Sequence, residues 1–386
     1  MKKYIISYTK PSIGIAERKE ILKTISSNWL TAGPKVRLFE KKLAQYLGCK
    51  YIQVLNSCTA ALDLAVLACG IGDKDEVITT PFTFCATVNS IIHSGAKPVF
   101  ADISRDTFNI DPLSIAENVT KRTKAILPMH YGGMPCDMSQ ISKIAGKYNL
   151  KIIEDAAHAI GAEYRERKIG TLSDATCFSF HATKNITTAE GGAITSNNKR
   201  IIDFIKKVYL HGINRESWQR HKVGDWKYRV IYPGFKTNMS DIQASLGIHQ
   251  LEKIEAFIRK RKQIAQFYDS CFQKEPLLKL QNAPYKVKHA HHLYPIILKI
   301  ERLKINRDQF IEELKKRGIM TSVHFIPAHK HPAYKPFLKP ADIAKLKNTE
   351  YIYNRLISLP IYPLLSLKQA KYVARSIKDI IEKNRK

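Results

Sequence analysis

Lys184 lies in the run FSFHATKNITTAEGG (residues 178–192), among small and hydroxylic neighbours rather than the charged ones usual around a surface lysine. A lysine so placed is partly desolvated, which disfavours its ammonium form. Free in water, only about one lysine in 2500 is neutral at pH 7, from a reference pKa near 10.4. A site that shifts that balance, or converts the amine to an imine, gains a nucleophile. Asp155 follows the apolar run Lys151–Ile153, and Ala156 and Ala157 leave room beside it for a flat ligand. A helix N-cap accounts for that aspartate equally well. After the run Tyr51–Leu55 come Asn56, Ser57, Cys58 and Thr59, opening a helical pattern. Free N–H groups at such a helix start, with the Ser57 and Thr59 hydroxyls, form an anion cradle, although an ordinary N-cap needs only one such residue.

Two other patterns carry less. Gly70-Ile71-Gly72 begins like a dinucleotide fingerprint but follows a helical pattern and lacks a third glycine. The groups His324, His329, His331 and His289, His291, His292 have no acidic or thiol companion at ligand spacing. They read as packing or hydrogen-bonding residues, and no metal is expected.

The elements that must position these residues follow from periodicity. Over the first 250 residues, short β-rich runs (Tyr51–Leu55, Glu76–Thr79, Pro98–Ala101, Lys124–Pro128, Lys151–Glu154) alternate with helical segments (Thr59–Cys69, Ala86–His93, Ser139–Tyr148). That alternation predicts an α/β fold with a mostly parallel sheet covered on both faces, and ligands in such sheets bind beyond the carboxyl ends of the strands. Strands at Asp174–Phe180 and Gly192–Ser196 follow, then a helix at Lys199–Leu210. Residues 211–237 read as a long excursion, and Ser240–Gln273 as one long amphipathic helix. Residues 1–250 form a large domain and 251–386 a smaller α/β domain, with a strand at His292–Leu298, a helix at Arg307–Gly318, a strand at Thr321–Phe325 and a last helix from Leu367. The leading segment 1–47, with its helix Val36–Leu47, is expected to pack with the small domain.

The chain has 386 residues, 44% of them hydrophobic and 25% charged, which is a globular composition. It has no stretch of about 18 apolar residues that would span a membrane, and its start has no apolar signal-peptide core. Seven cysteines without a Cys-x-x-Cys pair argue against a disulfide framework and fit a reducing, cytoplasmic setting. The net charge of +29 is concentrated at one end: residues 251–386 hold 29 basic and 12 acidic side chains. Such a surplus suits an anionic partner or simply a solvated face. Its basic groups, such as Arg259–Lys262, lack the interleaved aromatics of a single-strand groove, so no nucleic-acid partner is expected.

Six collinear strings carry a resemblance. NSCTAALDLAVLACGIGDKDEVITTPFTFCAT, MHYGGMPCDM, IIEDAAHAIGA, FSFHATKNITTAEGG, GFKTNMSDIQASLG and TSVHFIP together resemble the DegT/DnrJ/EryC1/StrS family, nucleotide-sugar aminotransferases that use pyridoxal 5'-phosphate (PLP) on the type I, aspartate aminotransferase-like fold. The likeness runs from about residue 5 to about residue 380. It implies that Lys184 holds the cofactor as an internal aldimine and moves the proton, and that Asp155 pairs with the pyridine nitrogen. It further implies that Phe84 stacks on the ring, that the Cys58 and Thr59 backbone and the Ser179 hydroxyl hold the phosphate, and that His158 lies beside the cofactor. Asn238 would reach the phosphate from the partner of a homodimer with shared active sites. His181 and His324 are the implied substrate contacts. Cys58 stands where many relatives have Ala or Gly, but its backbone N–H is unaffected.

The resemblance also implies a ping-pong reaction in which glutamate supplies the amino group and a nucleotide-linked keto sugar receives it, within polysaccharide or lipopolysaccharide biosynthesis. The string around Lys184 is nearer to members that aminate C4 of UDP-linked sugars. The alternatives are C3 amination of a dTDP-keto sugar and a PLP-binding regulator without enzymatic activity. A sugar dehydratase of the same fold would have the motif lysine replaced, and Lys184 is present.

Overall fold

The computed structural model describes residues 5–214, 226–284 and 286–386. Its first nine strands are β1 (Tyr51–Leu55), β2 (Glu76–Thr79), β3 (Lys97–Phe100), β4 (Thr123–Leu127), β5 (Lys151–Asp155), β6 (Glu163–Tyr164), β7 (Arg167–Lys168), β8 (Ala175–Ser179) and β9 (Gly192–Ser196). Seven of them form one sheet in the order β1-β9-β8-β5-β4-β2-β3. Only β9 runs against the rest, pairing antiparallel with both β1 and β8. Along these strands neighbouring residues go to opposite faces: Val54, Ile78, Ile126, Ile152 and Phe178 enter one core, and Leu55, Val77, Ala125, Ile153 and Cys177 the other. Burial on both faces is why these strands read as continuous apolar runs instead of alternating ones.

The second sheet has three strands, β10 (Leu278–Leu280), β12 (Tyr294–Leu298) and β13 (Leu356–Leu359), all antiparallel. The short β11 (Val287–Lys288) joins the β6–β7 hairpin. Helices Arg307–Lys316 and Leu367–Asn384 cover the small sheet, adding Phe310, Leu314, Val373 and Ile377 to its own core.

Three expectations are corrected. Helix Pro34–Leu47 packs on the large sheet: its buried Val36, Phe39, Leu43 and Leu47 recur every three or four residues and join the larger core, with the Phe39 ring edge-on to Phe180 at 5.5 Å. Of the leading segment's described residues, Ile6 does reach the small domain, bridging to Ile319. Secondly, Ser240–Gln273 is two helices, Asp241–Glu252 and Ile254–Phe272, broken at Lys253, whose amine pairs with the buried Glu17. The second helix then serves both cores, giving Ile254, Phe257 and Ile258 to the larger and Ile264, Ala265, Tyr268 and Phe272 to the smaller. Thirdly, Thr321–Phe325 is no strand. Ser322 alone bridges to Ser358, because the following residues are drawn sideways, the His324 carbonyl accepting the Tyr131 hydroxyl at 2.5 Å. Of the excursion expected at 211–237, residues 215–225 lie outside the described residues.

Candidate active site

At the carboxyl ends of β5 and β8 and the start of helix Cys58–Ala68 lies a cavity of about 500 Å³. Asp155 ends β5 and is 3% exposed. Its Oδ2 accepts the Thr87 hydroxyl at 2.6 Å, and its Oδ1 accepts the Ala157 N–H at 3.0 Å. Thr83 lies 2.6 Å from Thr87; since the Thr87 proton goes to the carboxylate, Thr83 is the donor in that pair. The carboxylate is thus held in one orientation while its residue lines the cavity.

The preceding residue, Glu154, is a useful contrast. Pleat alternation turns it to the other side of the strand, where Ser173, Thr176 and His130 satisfy it at 2.6, 2.9 and 2.7 Å. His130 accepts the Cys136 N–H on Nδ1, so it donates to Glu154 from Nε2. This buried network closes on itself and leaves nothing for a ligand.

Lys184 lies in the turn after β8, its backbone N–H donating to the His181 carbonyl at 2.9 Å. Burial pushes its ammonium towards losing the proton, opposed by Cys58 and Asp155. The site therefore raises the share of neutral amine, as nucleophilic use requires. At the helix start, the Ser57 hydroxyl accepts the Ala60 N–H at 3.1 Å. The N–H groups of Cys58 and Thr59 belong to the first turn and have no carbonyl one turn earlier. The chain around them is packed against Gly192: a Cβ there would meet the Ser57 carbonyl at 2.4 Å and the Cys58 nitrogen at 2.5 Å.

The cavity brings together nine of the ten residues singled out in the sequence: Lys184 and Asp155, with Cys58, Thr59 and Phe84, then His158, Ser179, His181 and His324. Phe84 is 57% exposed at the rim, its ring 6.1 Å from that of Phe325. His158 is buried and accepts the Gly132 N–H on Nδ1 at 3.3 Å. His181 is exposed and bonds Thr183 at 2.9 Å. His324 Nδ1 bonds Ser358 at 3.0 Å, and burial pushes its pKa down to about 4. Asn238 is the exception. It bridges to Leu55 and its side chain takes the Lys236 amine, outside the cavity of its own chain.

Sequence reasoning missed Tyr8, Thr87 and His292. Thr87 was within reach, as one of two hydroxyls, with Ser90, on the buried face of helix Cys85–His93. Tyr8, stacked on His324 with centroids 5.4 Å apart, comes from a segment without any local signal. His292 was read as packing, yet it lines the cavity.

These donors fit PLP: an orphaned helix start beside the Ser179 hydroxyl for a phosphate, an oriented carboxylate for a ring N–H, and a desolvated amine for an aldehyde. Among the described residues no cluster of three or more His, Cys, Asp or Glu could hold a metal ion, and no helix is long and apolar enough to cross a membrane.

Comparisons with known proteins agree with this chemistry. The sequence model of the DegT/DnrJ/EryC1/StrS aminotransferase family matches residues 11–378. The spore coat polysaccharide biosynthesis protein SpsC of Bacillus subtilis is 44% identical over 385 residues, 99% of this chain and 98% of SpsC. The structure of Helicobacter pylori PseC, an aminotransferase involved in pseudoaminic acid biosynthesis, superposes with a TM-score of 0.91 at 33% identity, covering 98% of this chain and 100% of PseC. Spr1654 of Streptococcus pneumoniae, solved in PLP and PMP (pyridoxamine phosphate) forms, superposes with a TM-score of 0.90 at 32% identity, covering 98% and 99% of the two chains.

Proposed function

The chain belongs to the DegT/DnrJ/EryC1/StrS aminotransferase family and is a PLP-dependent sugar aminotransferase of the type I fold; from that premise we propose that it moves the amino group of glutamate to C4 of a UDP-linked 4-keto sugar, by a ping-pong route. The observation that carries this reading is the meeting of a desolvated Lys184 amine and an oriented Asp155 carboxylate in one cavity above an anion-binding helix start. When bound, PLP supplies the electron sink that makes a carbon beside the amino group acidic.

The protein's own part is to bind, orient and move protons. Cys58 and Thr59 N–H groups and the Ser179 hydroxyl hold the phosphate. Asp155, fixed by Thr87 and Ala157, accepts the pyridine N–H and so keeps that nitrogen protonated. Phe84, at the rim, would stack on the ring, and His158 would lie beside the cofactor. Lys184 carries the cofactor and, once its amine is free, takes a proton from the donor carbon and returns one later in the sequence. His181 and His324 contact the sugar nucleotide from the cavity mouth and the small-domain wall.

Asn238 serves the site of a second copy in a homodimer. Its place outside its own cavity supports this, as do the neighbouring exposed side chains of Trp226, Tyr228, Val230 and Ile231. The seven free cysteines support a cytoplasmic setting, and the names of SpsC and PseC support service to surface polysaccharides or glycans.

The test is the absorbance of the PLP-loaded protein before and after glutamate. Replacement of the pyridoxal spectrum by that of pyridoxamine is expected, followed by recovery with a UDP-4-keto sugar. An unchanged spectrum with glutamate would reject the donor. Recovery with 3-keto but not 4-keto sugars would reject the C4 position.

A further inference from the structure

His292, just before β12, is 7% exposed and lines the cavity. Its Nδ1 lies 3.2 Å from Asn185 Oδ1. Which atom donates is decided one bond further on. Asn185 Nδ2 gives its hydrogen to the Ala290 carbonyl at 3.1 Å, so the amide must turn its oxygen to His292, and that oxygen can only accept. His292 therefore carries its proton on Nδ1 and a lone pair on Nε2. His158, whose ring centroid is 4.3 Å away, is the opposite tautomer, because its Nδ1 accepts the Gly132 N–H. Two adjacent imidazoles thus present one acceptor and one donor.

His292 is also pinned from behind. The buried guanidinium of Arg261 donates to the carbonyls of His291, His292 and Ile361 at 3.4, 3.3 and 2.7 Å, tying two stretches of the small-domain wall to helix Ile254–Phe272. Among the described residues Arg261 has no carboxylate in ion-pair range, and its charge stays uncompensated. Burial keeps His292 neutral, helped by the charges of Lys184 and Arg261 and by His158 and His324. Among the described residues its Nε2 is not a buried atom left without a partner, and the residue lines the same cavity as Lys184. The residue that fixes its tautomer, Asn185, is the peptide neighbour of Lys184.

We propose that His292 is a positioning residue for Lys184: while the lysine amine is free, the Nε2 lone pair of His292 accepts one of its N–H groups and keeps the amine in place between the two halves of the transfer. The inference rests on the reading of Lys184 as the reactive amine. The other groups acting on that amine are Cys58 from helix Cys58–Ala68 and Asp155 from β5, with His158 and His324 beside them.

A fixed acceptor beside a desolvated amine favours its ammonium form, so the role is readable as a titration. The full-length protein loaded with pyridoxamine phosphate, which leaves Lys184 free, is pulsed with trace acetic anhydride across a pH series. Acetylation of the peptide carrying Lys184 is followed by mass spectrometry. In His292→Phe the midpoint should fall by about one pH unit, the worth of one hydrogen bond to a charged group, while the high-pH plateau, which reports access, stays put. His292→Gln keeps an acceptor and should recover at least half of the shift. An unmoved midpoint in His292→Phe, or a Gln variant shifted as far as Phe, would overturn the proposal. If His292→Phe does not fold, Asn185→Ala frees the tautomer and is read the same way: a smaller fall is expected, and no fall overturns it. Whether Lys184 is the reactive amine is judged separately, by glutamate-driven conversion in Lys184→Ala, so the two readings fail apart.

Discussion

The two walls of the cavity are built on different principles. On the large-sheet side, Asp155 and Ser179 are the last residues of parallel strands, and Lys184 is five residues beyond one. Their places are set by a seven-stranded sheet buried on both faces. On the small-sheet side, His292, His324 and Phe325 stand on connections beside short antiparallel strands, the two imidazoles bonded to Asn185 and Ser358 and the His324 carbonyl to the Tyr131 hydroxyl. The first wall carries charge and reactivity; the second carries neutral imidazoles and rings. In the function proposed above, the rigid strand-end wall does the chemistry, while the small-sheet wall recognises the sugar nucleotide and, through His292, steadies Lys184.

Lys184→Ala tests the rigid wall most severely. Release of 2-oxoglutarate from glutamate should fall at least about 10⁴-fold, and residual turnover near the starting level would dissolve the contrast. Asp155→Asn should cost on the order of 10²- to 10³-fold in the same assay. His324→Phe, on the other wall, should raise KM for the sugar nucleotide about tenfold, the value of one hydrogen bond, and leave the glutamate half-reaction within about twofold. If both half-reactions fell together, the division of labour between the walls would be wrong.

Glu154→Gln sharpens the contrast within one strand. It should leave the glutamate half-reaction intact and lower stability by about 2 kcal/mol in denaturant unfolding, because a Gln NH₂ must face one of three hydrogen-bond donors. Acid tests the contrast without a substitution. Burial pushes His324 and His291 down to about 4, and His289 and His292 are lowered too. An unfolded histidine takes its proton near 6.5. Between pH 6.5 and 4 the unfolded chain therefore binds more protons, and stability falls as pH drops through that window. His158 on the rigid wall is depressed as well, but the other four lie on connections beside the small sheet, His292 and His324 on the cavity wall itself. Amide exchange in residues 289–293 and 322–325 should quicken before that in β5; simultaneous loss would contradict the picture.

The same contrast explains what could be read from sequence. Strand-end residues announce themselves by following an apolar run, so Asp155, Ser179 and the Ser57–Thr59 cap stood out, and the collinear strings named the rest of that wall. β13 is the four-residue run Leu356–Leu359, apolar except for Ser358 and all of it buried; so short a run without alternation gave no period. Thr321–Phe325 alternates like a strand, yet only Ser322 pairs, since the backbone beyond it bonds to Tyr131. His292 resembled its neighbours His289 and His291 in sequence. What separates it is Asn185, 107 positions away, and no local window contains that distance.

Helix Ile254–Phe272 has a consequence for how the chain could be divided. Its first turns are part of the interior under the large sheet, its last turns part of the interior under the small one, and Arg261 between them ties both to the cavity. A cut near residue 250 would strip Ile254, Phe257 and Ile258 from one half. A cut after the helix would take Ile264, Tyr268 and Phe272 from the other. The helix joins the two interiors it fills, and each half borrows part of its filling from a single rod that belongs to both.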